Sequence, residues 1–161
     1  MKSNYLKYWR VVRQFVKRKW DLNSADIDVL LFLYSEDYFS QDRFMEYESL
    51  ISWDSKRFKR MLADGWISVF RPRTGNQKTL YQISWRGSQV VDFIYEKLAH
   101  STPFPPIKRK QHYVTRLKMG ERTFRYSDKV YRKMIEEMNT IVKEKRMEDM
   151  ATQRRPRPAQ E

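Results

Sequence analysis

The stretch SWDSKRFKRMLADGWI, Ser52–Ile67, decides the fold predicted for this chain of 161 residues. At 100° per residue, its apolar side chains fall within one narrow arc of a helix; they are Phe58, Met61 and Leu62. The cations lie opposite this arc or flank it; they are Lys56, Arg57, Lys59 and Arg60. The pattern predicts an amphipathic helix that buries its apolar face and exposes a basic one.

The residues around this helix predict where it begins and ends. Ser52 or Asp54 is suited to the N-cap, because its side-chain oxygen can accept a backbone N–H of the first turn. Gly65 is suited to the position just after the helix, where the backbone often turns left-handed. Beyond it, Trp66–Arg71 and Thr79–Trp85 have the alternation of two strands, joined by a polar tip into a hairpin.

The rest of the chain predicts further helices on both sides of this helix and hairpin. They cover residues 4–20, a segment capped by Asn23 or Ser24, a short segment from Ser40 to about Leu50, a segment capped by Ser84 that runs to about Ala99, and a last helix that begins at Ser127-Asp128. A proline-rich break at residues 102–106 separates the last helix from the others.

Three segments resemble the multiple-antibiotic-resistance-regulator (MarR) family. LNSADIDVLLFL, Leu22–Leu33, is similar to the family's Leu-Thr helix start. MLADGWISVFR, Met61–Arg71, is similar to its Leu-x-x-x-Gly-Leu-Ile helix end and first wing strand, and YQISWRG, Tyr81–Gly87, to its Leu-Thr-x-x-Gly exit from the wing. The resemblance covers about residues 5–99. It implies a homodimeric DNA-binding fold, dimerised through the terminal helices.

We therefore predict a mainly α-helical protein with a small β-hairpin wing: a winged helix-turn-helix domain plus a C-terminal extension that ends in a long helix. The predicted segments are a winged-helix domain with an N-terminal amphipathic helix (1–100), a Pro-rich joint and basic-aromatic extension (101–126), a C-terminal amphipathic helix (127–150) and a disordered tail (151–161).

The net charge of +13 is unevenly distributed along the chain. Residues 1–20 carry +7 and residues 101–161 carry +8, whereas residues 21–100 carry −2. Clustered cations favour a polyanionic partner, because they release counterions from a phosphate backbone. Together with the fold, this charge predicts a protein that binds double-stranded DNA, either a dimeric transcriptional regulator or a genome-associated protein.

In a winged helix, the recognition helix offers its exposed face to the major groove, where Arg and Lys pair with guanine or phosphate. The candidate contacts on this helix are Ser52, Trp53, Ser55, Lys56, Arg57, Lys59 and Arg60. The wing is expected to contact the backbone or the minor groove through Arg71, Arg73 and Lys78. Basic arms add phosphate contacts through Lys7, Arg10, Arg13, Lys17, Lys108, Arg109 and Lys110.

Three features depart from the family and leave a second function open: the wing tip, a run of acids, and the basic, aromatic-rich extension after Pro103. Gly75 and Gln77 stand in the wing where the family usually has Asp and Arg. Between Asp21 and Asp54 there are nine acids and a single base, Arg43, and acids that face phosphate are unfavourable. This acidic patch and the basic, aromatic-rich extension also suit a structural or assembly protein, such as a virus-particle component, that uses the fold for protein contacts. The extension equally suits single-stranded nucleic acid.

The sequence offers no recognisable catalytic or metal-binding grouping. The chain has no cysteine, four glycines and two histidines, His100 and His112, which lack ligand-spaced neighbours. We therefore expect no metal, no cofactor and no catalytic activity. No apolar run is long enough to span a membrane, so we expect a cytoplasmic or nucleoid-associated protein, or a virion component if the chain is virus-encoded, without a membrane partner.

Overall fold

The computed structural model describes residues 4–50, 53–105 and 126–154. In chain order the elements are α1 (Tyr5–Trp20), α2 (Ser24–Ser35), α3 (Gln41–Met45), α4 (Ser55–Ala63), β1 (Ile67–Arg71), β2 (Leu80–Ile83), α5 (Trp85–Leu98) and α6 (Tyr126–Gln153). Three helices followed by an antiparallel hairpin are the elements of a winged helix-turn-helix. The predicted fold class, a mainly α-helical winged helix with a C-terminal helix, is confirmed.

The described residues form two compact units. The winged-helix unit comprises residues 16–95, and the terminal unit comprises the described parts of residues 1–15 and 96–161. Helices α1 and α5 contribute residues to both units.

An aromatic cluster forms much of the core of the winged-helix unit; it consists of Phe32, Phe44, Trp53, Phe58 and Tyr81. Phe44 of α3 stacks on Trp53, with ring centroids 5.4 Å apart. Phe58 of α4 packs edge-on against both Phe44 and Tyr81 of β2, at 5.1 and 4.9 Å. Because α3, α4 and the hairpin share these rings, the cluster fixes which face of α4 is turned inward.

The end of α4 is set by Gly65, as its sequence position predicts. Gly65 has a φ of +81°, which a residue with a side chain adopts only at a cost. The N–H of Trp66 donates to the carbonyl of Met61, and the N–H of Gly65 donates to that of Leu62. These are the two hydrogen bonds of a Schellman motif, and they turn the chain directly from α4 into β1.

The predicted hairpin forms between β1 and β2, which pair antiparallel. Ile67 pairs with Ile83 and Val69 with Tyr81, before a bulge that precedes Arg71. The loop between α2 and α3 adds a further backbone pairing, because Phe39 and Tyr81 exchange hydrogen bonds of 2.9 and 2.8 Å. Helix α3 ends at Met45, earlier than the predicted end near Leu50, and the chain continues to residue 50 in turns.

The junction between the hairpin and α5 explains why residue 87 is a glycine. The hydroxyl of Ser84 accepts the N–H of Gly87 at 3.0 Å, so Ser84 caps α5 as predicted. A Cβ at Gly87 would lie 2.8 Å from Ile83 Cγ1 and 2.9 Å from the carbonyl oxygen of Trp66. Glycine therefore allows the first turn of α5 to approach the base of the wing closely.

In the terminal unit, α6 buries a stripe of Ile135, Met138 and Val142. Met134 and Ile141 beside this stripe are half-buried, and Val130 is exposed. Asn139 binds the backbone of Phe104 in both directions, accepting its N–H at 2.7 Å and donating to its carbonyl at 3.3 Å. Helix α6 also extends to Gln153, beyond its predicted end at Met150.

Candidate nucleic-acid interface

Helix α4 presents the exposed basic face that its sequence predicts. Phe58 and Met61 are buried, with 2% and 1% of their surface exposed. Ser55, Lys56, Lys59 and Arg60 are exposed, and Leu62 is half-buried. The carboxylate of Asp54 accepts the N–H of Arg57 at 2.8 Å and caps the helix. Asp54 thus has a structural role at the start of α4.

The position of Trp53 corrects one of the predicted DNA contacts. Its side chain is fully buried in the aromatic cluster, where it lies 4.9 Å from Phe32 and 5.4 Å from Phe44, measured between ring centroids. The prediction that Trp53 contacts DNA is therefore wrong, because a large apolar ring beside a helix start is used here for packing. Ser52, the other candidate before α4, lies outside the described residues.

Two of the four cations of α4 bind one buried carboxylate on α2. The Nη1 of Arg57 donates to Asp26 Oδ1 at 2.6 Å, and the Nη2 of Arg60 donates to the same oxygen. Asp26 is 5% exposed and also forms a capping box with Asn23. The side chain of Arg57 is 18% exposed and that of Arg60 is 48% exposed. Arg57 thus lies mostly inside the surface, and Arg60 remains half-exposed.

The wing cations have different environments. Arg73 is exposed in the hairpin tip, and Arg71 is half-buried in β1. Lys78 is exposed and forms an ion pair with Asp42 of α3. The wing tip turns through Gly75, with a bridge between Thr74 and Gln77.

Among the described residues, four of the nine acids of the acidic patch form ion pairs with cations of the same chain. Besides the pairs of Asp26 and Asp42, Arg43 binds Glu46 at 2.8 Å and Glu36 at 3.6 Å. Several acids of the patch therefore face Arg and Lys residues of the winged-helix unit itself. These pairs lower the positive charge of its basic surface.

The predicted arms are only partly described. Arg10 is exposed on α1, Arg13 and Lys17 are half-buried, and residues 108–110 lie outside the described residues. Lys7 donates to Glu137 of α6 at 2.6 Å, and the hydroxyl of Tyr8 donates to the same oxygen at 2.8 Å. These hydrogen bonds hold the pKa of Glu137 below its usual value and raise the pKa of Lys7. Lys7 therefore joins α1 to α6 within the terminal unit.

The comparisons with known proteins add one structural likeness. The chain is similar to a solved structure of MarR from E. coli, a cysteine-to-serine mutant complexed with operator DNA. The two are 14% identical, the match covers 59% of this chain and 71% of that chain, and the TM-score is 0.41. No protein-family model and no curated protein matches the chain.

Within the part of the chain that the structure describes, no group of three or more His, Cys, Asp or Glu side chains is arranged to hold a metal ion. None of the described helices is both long and apolar enough to cross a membrane. A polar cleft lies between the start of α3 and the wing, lined by residues that include Ser40, Asp42, Arg73 and Lys78.

Sequence reasoning missed Asp26 and Asp42 as partners of the basic surface. The number of acids between Asp21 and Asp54 was the available signal, but it gives no pairing. Asp26 lies 31 and 34 positions from its two arginines. Only the fold, which brings the start of α2 beside α4, places these groups together.

Proposed function

We propose that this chain is a winged-helix protein that binds double-stranded DNA, with α4 in the major groove. The observation that carries the proposal is the two-sided character of α4: Phe58 and Met61 are buried, and Lys56, Lys59 and Arg60 are exposed on the other side. A recognition helix needs this division, since one face must pack while the other reaches base edges and phosphates. The role would be transcriptional regulation or organisation of a genome.

In this proposal the exposed Ser55 and the α4 cations contact bases and phosphates, and Arg73 of the wing contacts the backbone. Arg57 is left out of the reading face, because its guanidinium is directed to Asp26. Lys78 reaches phosphate only by exchanging its Asp42 partner, which is inexpensive because both side chains are exposed.

The direct test is a titration with duplex DNA. A duplex enriched from a randomised pool and a scramble of the same composition are each titrated at about 50 and about 200 mM salt. With six or more phosphate contacts, binding should be about a thousandfold weaker at the higher salt concentration. A chain that binds neither duplex at low salt would contradict the proposal. That result would point to the protein-contact function instead.

The cations of the basic arms should affect DNA affinity without affecting sequence preference, unlike those of α4. Replacing Arg10 and Arg13 by alanine should weaken binding to both duplexes alike, because phosphate contacts carry no sequence information. The slope of log affinity against log salt should become shallower by about 0.9 for each lost contact. The matched control replaces Arg10 and Arg13 by lysine, which keeps both charges and should therefore keep the slope of log affinity against log salt. An alanine variant that loses only its preference for the enriched duplex would contradict this assignment.

We also propose that the chain is a homodimer joined through its terminal unit, as the family resemblance implies. In support, Leu6 of α1 is 87% exposed, and Tyr5, Met147 and Met150 of the same unit are each more than half exposed. Apolar side chains this exposed favour a second copy as their cover. Helix α6 is exposed from Lys143 onward, which leaves length for such a contact.

Leu6→Glu should therefore shift the chain from dimer to monomer in sedimentation-velocity measurements, because it would place a charge in the contact. Leu50→Glu is the matched control: Leu50 is 76% exposed, but it lies in the winged-helix unit. A wild-type chain that sediments as a monomer, or a Leu6 variant that stays dimeric, would count against this interface.

A further inference from the structure

Asp26 makes more contacts than a capping residue needs. Its Oδ2 accepts the N–H of Asn23 at 3.2 Å, and its own N–H donates to Asn23 Oδ1 at 2.8 Å, which completes the cap. Its other oxygen, Oδ1, accepts hydrogen bonds from Arg57 and Arg60 together. One carboxylate therefore joins the start of α2 to two successive turns of α4.

The charge balance at this site is uneven. A carboxylate that is 93% buried as a side chain requires a cation nearby, and one arginine would neutralise it. Two arginines bind it, so the group of three side chains keeps one positive charge. That charge is best assigned to Arg60, whose side chain is 48% exposed, rather than to Arg57, whose side chain is 18% exposed.

The hydrogen bonds agree with this division. Nη1 of Arg57 donates to Asp26 and also, at 3.3 Å, to Asn23 Oδ1. Both acceptors lie at the start of α2, so the guanidinium is directed into the winged-helix unit. Arg60 uses Nη2 for Asp26, and a planar guanidinium has five N–H donors in a fixed fork. An arginine held at one edge keeps donors at the other edge for a phosphate or a guanine.

We propose that Asp26 is a positioning residue for DNA recognition: it holds Arg57 inside the surface and fixes the guanidinium of Arg60 at the surface for a DNA phosphate or guanine. This inference rests on the proposed DNA-binding function and adds a division of roles between two arginines of the same helix. Anchoring a long side chain before binding reduces the rotamer freedom lost in the complex, so the contact becomes more selective.

The test compares Arg57→Gln with Arg60→Gln, using the enriched duplex and its scramble across a salt series. Arg60→Gln should make the salt slope shallower by about one and reduce the preference for the enriched duplex by about tenfold. Arg57→Gln also removes one positive charge from the group, so it should make the salt slope shallower by a similar amount. It leaves Arg60 bound to Asp26, however, and should leave the preference for the enriched duplex unchanged. If the two variants reduce this preference equally, the division of roles is refuted.

Asp26→Asn is expected to change the salt slope in the opposite direction to Arg60→Gln. Neutralising the carboxylate removes the charged partner of Arg57, so its guanidinium can exchange the remaining contacts, that with Asn23 among them, for a DNA phosphate. The salt slope should then become steeper by about one, while the preference for the enriched duplex falls. One extra contact adds about a 3.5-fold dependence between roughly 50 and 200 mM salt. A purely structural role would lower the active fraction and leave the slope as in the wild type. Adding Arg57→Gln to Asp26→Asn should restore the original slope, and failure to restore it would overturn the inference.

The two proposals fail in different ways. If the wild-type chain binds no DNA, the proposed function fails and this inference fails with it. If the wild-type chain binds DNA and the Arg57 and Arg60 variants lose the preference for the enriched duplex to the same extent, DNA binding stands and the role of Asp26 is wrong. The glutamine pair decides the question even if Asp26→Asn does not fold, because each glutamine variant leaves Asp26 one arginine.

Discussion

Under the proposed function, replacing Lys56 and Arg60 together by alanine is expected to abolish the preference for one DNA sequence over another. Both side chains are exposed on the face of α4 opposite Phe58 and Met61. A good Arg or Lys contact to a base contributes about 1–3 kcal/mol of discrimination. Losing two should therefore reduce the affinity ratio between enriched and scrambled duplexes by about a hundredfold. Competition titrations of both duplexes at one salt concentration measure this ratio.

Two controls separate base reading from damage to the fold. Lys56→Ala with Lys59→Ala leaves the Asp26 group intact and should reduce the preference less. Urea unfolding of the Lys56/Arg60 variant should give a free energy within about 1 kcal/mol of the wild type, since Arg57 still pairs with Asp26. An unchanged preference in the folded double variant would show that α4 does not read DNA.

The second large effect is on stability. Trp53→Ala is expected to lower the free energy of unfolding by about 3–5 kcal/mol, the usual cost of removing a large buried ring. Trp53 is fully buried, and its ring lies within 6 Å of Phe32, Phe44 and Tyr47, measured between centroids. The loss would leave a cavity where α2, α3 and the start of α4 meet. Urea denaturation followed by far-UV circular dichroism measures it.

Trp53→Phe is the matched control. Phenylalanine keeps a ring to stack on Phe44, and the indole Nε1 of Trp53 has no hydrogen-bond partner among the described residues. The expected cost is about 1.5 kcal/mol, well below that of alanine. A near-neutral alanine variant would show that the ring is not part of the core, and would restore Trp53 as a candidate DNA contact.

Local signals in the sequence were sufficient for most of the winged-helix unit. The N-cap at Asn23 or Ser24, the stop at Gly65 and the hairpin that follows it each depend on residues near in sequence, and each was predicted. The early end of α3 was not, since the segment after Met45 has no strong helix breaker before residue 50.

The candidate site was less predictable than the fold. The basic face of α4 follows from helical periodicity, but its effective charge depends on Asp26, an acid of another helix. The burial of Trp53 also depends on residues distant in sequence. A tryptophan beside a helix N-terminus is equally suited to a groove and to a core, and only the positions of Phe32 and Phe44 decide between them.

The link between Phe39, Tyr81 and Phe58 has a consequence for the entropy of association. Tyr81 is hydrogen-bonded through its backbone to Phe39, and its ring packs at 4.9 Å against Phe58 of α4. The base of the wing and α4 are thus packed against each other through Tyr81 in the absence of any partner. The ordering cost of presenting both elements is met during folding, and the binding free energy is correspondingly less reduced.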